Sequence, residues 1–335
     1  MFKREDIEAR EELLAPGACR SAQSKGRVVY EEPCTYRTEF QRDRDRIIHS
    51  KAFRRLMHKT QVFLAPEGDH YRTRLTHTLE VSQIARTIAR NLNLNEDLTE
   101  AIAMGHDLGH TPFGHNGESV LNDIHPGGFQ HNVQSLRVAE VLESTPNRKG
   151  MNLTFEVKDG ILNHSGNLPA VTLEGQIVKL SDRIAYINHD IDDAIRSGVI
   201  RLDDLPQTAI ALFGQGHRER INCMVGNVVS FSDGKDFVAM DVEHKKELDL
   251  LRSYMFEHVY RSQRVKKEED LAKVEVVIRS LYDYFLKHPE KLPEDIFALA
   301  DADGVHVAVK DYIAGMTDRF ALSLYSDLFV PKGWR

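Results

Sequence analysis

The chain has 335 residues, enough for one large hydrophobic core or for two domains. Its 41% hydrophobic and 28% charged residues are ordinary for a globular protein, and its net charge of −7 disfavours a dedicated nucleic-acid binder, which is usually basic. The three cysteines, Cys19, Cys34 and Cys223, are far apart and form no C-x-x-C pair, so neither a disulfide framework nor a thiolate zinc site is indicated.

The sequence contains no run of about 18 apolar residues, which is the length that a membrane-spanning helix needs. The charged N-terminal stretch, residues 1–14, lacks the apolar core of a signal peptide, so we expect a cytoplasmic protein with no membrane contact. The segment from Arg37 to Lys59 contains eight basic and three acidic residues, a local charge of +5. Such a patch suits a small anionic ligand better than a long polyanion, and a solvated helix face explains it equally well.

The N-terminal half predicts an irregular arm followed by helices. Residues 1–35 are interrupted by proline and glycine and predict an irregular arm. From Phe40 onward, apolar residues recur at helical spacing. After a loop at 66–69, a second helix is predicted over 74–92, and Asn95 can cap a third.

The C-terminal half is also mainly helical in pattern. Long helical patterns occupy 173–195 and 242–286, and residues 291–328 predict two or three short helices. A glycine-containing turn between short apolar runs at 227–240 suggests a hairpin. These patterns predict an all-α bundle with a smaller C-terminal helical region.

Two histidines and two aspartates indicate a metal site. His106 and Asp107 are adjacent near the end of a predicted helix, His77 lies on the preceding helix, and Asp182 lies on a later one. Two nitrogen and two oxygen donors suit a borderline divalent ion, and they leave coordination positions free for water and substrate. The alternative is that some of the four are buried, satisfied polar residues or helix caps.

The motifs around these residues resemble the H…HD…D pattern of HD-domain metal-dependent phosphohydrolases. The segments that carry the pattern are RLTHT (74–78), GHDLGHTPFGHNGE (105–118) and KLSDRIAYINHD (179–190). With residues 44–63, which contain HKTQVF, and residues 68–86, the match is closest to the deoxynucleoside triphosphate triphosphohydrolases, the deoxyguanosine triphosphatase-like family. The resemblance covers about 36–197, with a weaker match in RSYMFEHVYRSQRV (252–265).

The resemblance implies an HD-domain helical bundle at 36–200 and a C-terminal helical region at 201–335 that packs on it. It implies one divalent ion per active site (Mn, Mg, Fe, Co, Ni or Zn), held by His77, His106, Asp107 and Asp182. It also implies hydrolysis of a deoxynucleoside triphosphate to the deoxynucleoside and inorganic triphosphate. Family members are commonly homo-oligomers, often tetramers or hexamers, and some are activated by a second nucleotide.

Further polar residues are expected beside the metal. Cleavage of a phosphate ester needs a proton donor for the leaving oxygen, and a histidine near neutral pKa is the natural donor. The resemblance assigns His115 as the general acid or electrostatic partner, with Glu118 orienting it. His110 and His131 match further active-site histidines that are expected to contact the phosphates. For His131 the alternative is an ordinary histidine on a helix surface.

One helix is expected to bring the sugar-binding groups to the metal. Asp182, Tyr186 and Asp190 are spaced four residues apart and therefore line one helix face. A ring and a carboxylate beside a phosphate site suit a sugar. The resemblance implies that Tyr186 packs on the deoxyribose, against ribonucleotides, and that Asp190 binds the 3′-hydroxyl. Without the resemblance, Tyr186 would be interpreted as a core residue.

The resemblance and the spacing add weaker candidates for substrate binding. Gln61 matches a glutamine that approaches the sugar and base, and Arg74, three residues before the ligand His77, is a plausible phosphate clamp. Tyr260 lies in the weaker C-terminal match and is expected to close the pocket. The remaining candidates are basic side chains that could equally be surface charge: Arg54, Arg55, Lys59 and Lys179.

Two other functions remain open from the sequence. The first is an HD phosphohydrolase for nucleoside monophosphates, cyclic nucleotides or alarmones, which the released product would distinguish. The second is a catalytically silent nucleotide sensor or single-stranded nucleic-acid binder. The complete ligand set and the presence of His115 and Glu118 argue against lost catalysis, and the acidic net charge argues against nucleic acid as the main partner.

Overall fold

The computed structural model describes residues 1–61, 72–260 and 268–331. Within these ranges the chain forms sixteen α-helices and no β-strand, which confirms the all-α prediction. None of the described helices has both the length and the apolar character needed to cross a membrane. The predicted loop at 66–69 and the last five residues of the 252–265 motif lie outside the described residues.

The α-helices are numbered α1 to α16 in chain order. Their bounds are Arg4–Glu11, Glu39–Ile48, Lys51–Arg55, Arg74–Asn91, Glu96–Gly105, Gly114–Ile124, His131–Arg137, Phe155–Asn163, Leu173–Arg196, Gln207–Phe213, His217–Ser232, Val242–Met255, Glu268–Lys287, Glu294–Asp303, Val305–Ala314 and Asp318–Phe329. A π-helical turn, Phe256–Tyr260, continues α12.

The predicted helix boundaries agree with the structure where a capping residue was visible. The side chain of Asn95 accepts a hydrogen bond from the backbone N–H of Leu98, which fixes the start of α5. Thr172 caps α9 in the same way. The tail prediction is also confirmed, since residues 291–328 contain the three helices α14 to α16.

Two local predictions missed a helix. The arm at 1–35 contains α1, whose acidic first turn complements the positive end of the helix dipole. The suggested hairpin at 227–240 is wrong, because α11 extends to Ser232. Met224 and Val228, one helical turn apart, are both fully buried, so the pattern there has the helical period.

The buried side chains form two clusters. The larger surrounds α4, α5 and α9, where Ile88, Ile102 and Ile184 are wholly buried, and it continues to Val259. The smaller joins α6 to α13, α15 and α16. The boundary predicted at residue 200 therefore does not coincide with the division between the clusters. Helices α4, α5 and α9 pack on one another, and this packing brings the H…HD…D residues together.

Candidate active site

A sharp turn after α5 presents the central histidines. The helix ends at Gly105 rather than continuing through His110. A Cβ at Gly109 would lie 2.1 Å from the backbone nitrogen of Ser135, so only glycine fits there. Phe113 then adopts a left-handed φ of 62°, unusual for a residue with a side chain. Its N–H donates to Asp318 (2.9 Å), which helps hold this conformation.

Four side chains that we call the metal-ligand cluster meet at the inner end of the site: His77, His106, Asp107 and Asp182. The Oδ1 atom of Asp182 lies 3.0 Å from Nε2 of His77 and 3.9 Å from Nε2 of His106. One donor atom each of His77, His106 and Asp107 lies within 4.8 Å of the others. The four residues come from α4, α9 and the end of α5, as the sequence predicted.

The hydrogen bonds of His106 leave a lone pair for a cation. Its Nδ1–H donates to the carbonyl of Ala103 (2.6 Å), and its buried Nε2 has no hydrogen-bond partner among the described residues. A backbone bond of this kind fixes the tautomer and the ring orientation of a metal-binding histidine. With two carboxylates beside it, the donor set fits a divalent ion, and HD domains bind divalent metals.

Neighbouring side chains keep the two aspartates ionised. Burial alone would raise the pKa of Asp107, but electrostatic interactions with His106, His110 and Arg74 outweigh it and hold the pKa well below its usual range. For Asp182, burial is likewise outweighed, chiefly by the hydrogen bond with His77, which lowers its pKa to about 2. Both aspartates can therefore serve as anionic ligands at neutral pH.

Arg74 is positioned by one of these aspartates. Its side chain is 1% exposed, and Nη1 donates to Oδ2 of Asp107 at 3.0 Å. Its Nη2 and Nε have no partner among the residues described, although the side chain lines the cavity. A buried guanidinium with free donors suits a phosphate.

A second group lies beside the metal-ligand cluster, and we call it the histidine–glutamate network: His115, Glu118, His131 and His164. Oε2 of Glu118 lies 3.1 Å from Nδ1 of His115, and its Oε1 lies 2.9 Å from Nδ1 of His131. Nε2 of His131 lies 3.2 Å from Nε2 of His164. Glu118 therefore contacts both His115 and His131, and the His131 side chain is only 15% exposed.

The charges of the network follow from its contacts. Burial opposes ionisation of Glu118, but hydrogen bonds from His115 and His131 hold its pKa far below the usual range. The hydrogen bond and charge of Glu118 overcome the effect of burial and raise the pKa of His131. The ring of His110 stacks on His131 with centroids 4.1 Å apart, and burial with nearby positive charge holds the pKa of His110 well below normal.

A cavity of about 370 Å³ opens beside both groups. Tyr186, Asp190 and Tyr260 form one of its walls, and the hydroxyl of Tyr260 donates to Oδ2 of Asp190. Burial raises the pKa of Asp190 to about 7. The other described residues lining it are Gln61, Arg74, His77, Asp107, His110, Phe113, His115, Asn116, His131, Ser165, Asp182, Arg252 and Phe256.

Some predicted substrate-binding residues lie elsewhere. Lys179 does not line this cavity, because its ammonium donates to the carbonyls of Gly166 and Leu168. No described lining residue comes from the basic segment between Arg37 and Lys59. Most arginines of that segment pair with carboxylates, and Lys59 donates to the carbonyls of His110 and Ala314. The segment supports the site indirectly, through the backbone of His110.

The sequence also contained a signal for two lining residues that we missed. Arg252 and Phe256 precede Tyr260 at intervals of four residues, the same spacing that identified Asp182, Tyr186 and Asp190. A third missed residue, His164, follows α8 as its C-cap and belongs to no motif that we identified. Only the three-dimensional contact with His131 reveals it.

Comparison with known proteins gives concordant matches. An HD domain matches residues 74–187, and a phosphohydrolase-associated domain matches residues 238–327. Relatives named deoxyguanosinetriphosphate triphosphohydrolase-like protein match nearly end to end. The one from Caldanaerobacter subterraneus subsp. tengcongensis is 59% identical, covering 96% of this chain and 94% of the relative.

Two further relatives bear the same name. The protein from Desulfatibacillum aliphaticivorans is 48% identical and covers 99% of both chains, and that from Clostridium tetani is 47% identical, covering 95% of this chain and 93% of the relative. A crystal structure of a hypothetical protein from Aquifex aeolicus matches with a TM-score of 0.46 and 19% identity, covering 87% of this chain and 68% of that one. At this level the structural likeness carries no information on function.

Proposed function

Because the chain belongs to the HD-domain family of deoxyguanosinetriphosphate triphosphohydrolase-like proteins, we propose that it hydrolyses deoxynucleoside 5′-triphosphates, dGTP among them. Water adds to the α-phosphorus and the bond from that phosphorus to the 5′-oxygen breaks. The products are the deoxynucleoside, whose oxygen takes up a proton, and inorganic triphosphate. The observation that carries this proposal is one cavity lined both by metal-ligand residues and by a tyrosine–aspartate wall suited to a sugar.

The metal-ligand cluster would hold one divalent ion through His77, His106, Asp107 and Asp182. Such an ion supplies a water activated for attack and neutralises charge on the phosphoryl oxygens. Mn²⁺, Fe²⁺, Co²⁺, Ni²⁺ and Zn²⁺ accept nitrogen and oxygen ligands of this kind, whereas Mg²⁺ prefers oxygen ligands. Arg74 binds a phosphate through the donors that Asp107 leaves free, and Arg252, whose Nε has no partner within the described chain, extends the positive wall.

The leaving oxygen needs a proton, and His115 is the proposed donor. Its side chain is 65% exposed at the cavity, while its Nδ1 is held by Glu118. The contact with the carboxylate fixes the orientation of the ring and leaves Nε2 to face the substrate. His110, stacked on His131, is the remaining histidine proposed to contact the phosphates, because both ring nitrogens of His131 already have partners in Glu118 and His164.

The tyrosine–aspartate wall, formed by Tyr186, Asp190 and Tyr260, is proposed to select the sugar of the substrate. The ring of Tyr186 packs on the deoxyribose, where a 2′-hydroxyl would collide with it. Asp190, oriented by Tyr260, binds the 3′-hydroxyl. Gln61, whose Oε1 has no partner in the part of the chain that the structure describes, lies at the same cavity and faces the sugar or base.

The test is incubation with the four dNTPs and four rNTPs in Mn²⁺ or Mg²⁺, with products separated by anion-exchange chromatography. Inorganic triphosphate and a deoxynucleoside are expected from at least one dNTP, with rNTPs cleaved much more slowly. Orthophosphate or pyrophosphate as the first product would favour another phosphohydrolase reaction and contradict the proposal.

A variant tests the sugar wall separately. Tyr186→Ala is expected to reduce the preference for dNTP over rNTP, because it removes the ring from the 2′ position. Tyr254→Ala, a half-buried tyrosine of α12 that does not line the cavity, is the matched control and should keep the preference. An unchanged preference in Tyr186→Ala would exclude the tyrosine as the discriminating group.

A further inference from the structure

The histidine–glutamate network ends at His164, a buried histidine with a fixed hydrogen-bond pattern. The side chain is 3% exposed, and Nδ1 lies 2.7 Å from the carbonyl oxygen of Ile161. A carbonyl only accepts, so Nδ1 carries the hydrogen. In a neutral imidazole the other nitrogen then has a lone pair, and Nε2 of His164 is therefore an acceptor.

That acceptor faces His131. The two Nε2 atoms are 3.2 Å apart, so His131 provides the hydrogen that joins them. On its other side, the Nδ1 and the backbone N–H of His131 both lie 2.9 Å from Oε1 of Glu118. His131 is thus held at both ring nitrogens, and turning its ring over would break both bonds.

The second oxygen of the same carboxylate contacts His115. Oε1 of Glu118 is occupied by His131, which leaves Oε2 for Nδ1 of His115, 3.1 Å away. The orientation of His115 therefore depends on a continuous series of contacts that begins at the carbonyl of Ile161. Within that series, His164 provides the acceptor that requires Nε2 of His131 to be the donor in the bond between the two rings.

We propose that His164 is a positioning residue: its Nε2 accepts the Nε2–H of His131 and so holds Glu118 against His115. This inference rests on the proposed function, in which His115 protonates the leaving oxygen. His164 does not line the cavity, and it acts through His131. Its ring also lies 5.1 Å from that of His106, so an effect through the metal-ligand cluster must be measured separately.

The experiment compares His164→Leu with His164→Gln. Leucine fills the space without an acceptor, and we expect kcat to fall about 10–100-fold, as for other residues that orient a reacting group, with KM nearly unchanged. Glutamine places an amide oxygen near the position of Nε2 and should restore most of kcat. The matched control is His244→Leu, a partly buried histidine of α12 whose Nδ1 contacts Asp241, and it should retain wild-type kcat.

Three results would overturn the proposal: wild-type kcat in His164→Leu, equal losses in the leucine and glutamine variants, or loss of bound metal from His164→Leu. Metal content is measured by mass spectrometry after gel filtration. The expected result is full metal content in both variants, a low kcat in the leucine variant and rescue by glutamine.

A measurement without substrate separates this proposal from the proposed function. With ¹⁵N-labelled histidine, NMR should detect scalar coupling between the Nε2 atoms of His131 and His164 in the wild type and not in His164→Leu. Coupling in a protein that cleaves no dNTP would contradict the proposed function while supporting the His131–His164 bond. Absence of coupling in the wild type would overturn the inference, whatever the enzyme hydrolyses.

Discussion

The metal-ligand cluster and the histidine–glutamate network are both built from histidines and carboxylates. They differ in whether the ring nitrogens of the histidines have hydrogen-bond partners. In the cluster, Nε2 of His106 is buried without a partner in the described structure. In the network, both ring nitrogens of His131 have partners within 3.2 Å. An unpaired, converging lone pair indicates a place for a cation, whereas a closed series of hydrogen bonds indicates groups that must hold one orientation.

The ratio of carboxylates to imidazoles also differs between the two groups. The cluster has two carboxylates for two imidazoles, and the network has one carboxylate for three. Excess negative charge attracts a metal ion, whereas the surplus of imidazoles allows His131 and His164 to position Glu118 and His115. His106 and His115, only nine residues apart in one motif, are therefore expected to respond differently to mutation.

The largest effect is expected from Asp107→Asn, which removes a ligand charge while keeping the side-chain size. Metal should be absent after desalting, and turnover should fall below detection. Asp97→Asn in the first turn of α5 is the control and should retain both. Mass spectrometry of the metal content and an assay of dNTP turnover test whether Asp107 is a required metal ligand. Wild-type metal content in Asp107→Asn would show that Asp107 is not a required ligand.

The next effect in size is expected from His115→Ala, which should lower kcat by about 10²–10⁴-fold, the usual contribution of a general acid. The metal should remain, because His115 is not in the metal-ligand cluster. Glu118→Gln replaces one of the two acceptor oxygens with an NH₂ donor and removes the charge, but it leaves His115 itself in place, so we expect a smaller loss. Steady-state kinetics with metal analysis test both variants. Full activity in His115→Ala would remove it from the mechanism.

The fold was largely predictable because its signals are local. Helical periodicity and caps such as Asn95 located α4, α5 and α9, which carry the ligands. The hairpin error arose from a glycine-containing segment of mixed polarity, in which the period could be assigned only once the burial of Met224 and Val228 was known. Which helices share a core depends on contacts distant in sequence, so the division between the two clusters did not follow from the pattern.

The site was predictable to the extent that its residues lie in motifs. His77, His106, Asp107 and Asp182 meet as expected. Lys179 was misplaced because the carbonyls that hold its ammonium belong to a loop whose conformation the sequence does not specify. His164 was missed because its importance depends on a contact with His131, 33 residues earlier in the chain.

Metal addition should distinguish the two groups by stability. An ion at about 100 times its Kd stabilises a folded protein by about 2.7 kcal/mol. Mn²⁺ added to chelator-treated protein should therefore raise Tm by a similar amount in the wild type and in His115→Ala, and not in Asp107→Asn. The shift should shrink at acidic pH, because imidazole ligands must lose protons to bind. Differential scanning calorimetry measures the three Tm shifts. A smaller shift in His115→Ala than in the wild type would mean that His115 also contributes to metal binding and that the two groups are not separate.

The smallest effect is expected outside both groups, at Tyr260→Phe. The change removes the hydroxyl that donates to Asp190 and keeps the ring in the cavity wall. One hydrogen bond contributes about 1 kcal/mol, so kcat/KM for a dNTP should fall about 5–10-fold, through KM, with metal content and kcat preserved. Tyr254→Phe is the control. Because the Tyr260–Asp190 pair is proposed to bind the 3′-hydroxyl, a 2′,3′-dideoxynucleotide should be little affected by the same substitution. An equal loss with the dideoxynucleotide would mean that the pair supports the cavity wall without contacting the sugar. Tyr186 would then be the remaining candidate for sugar selection.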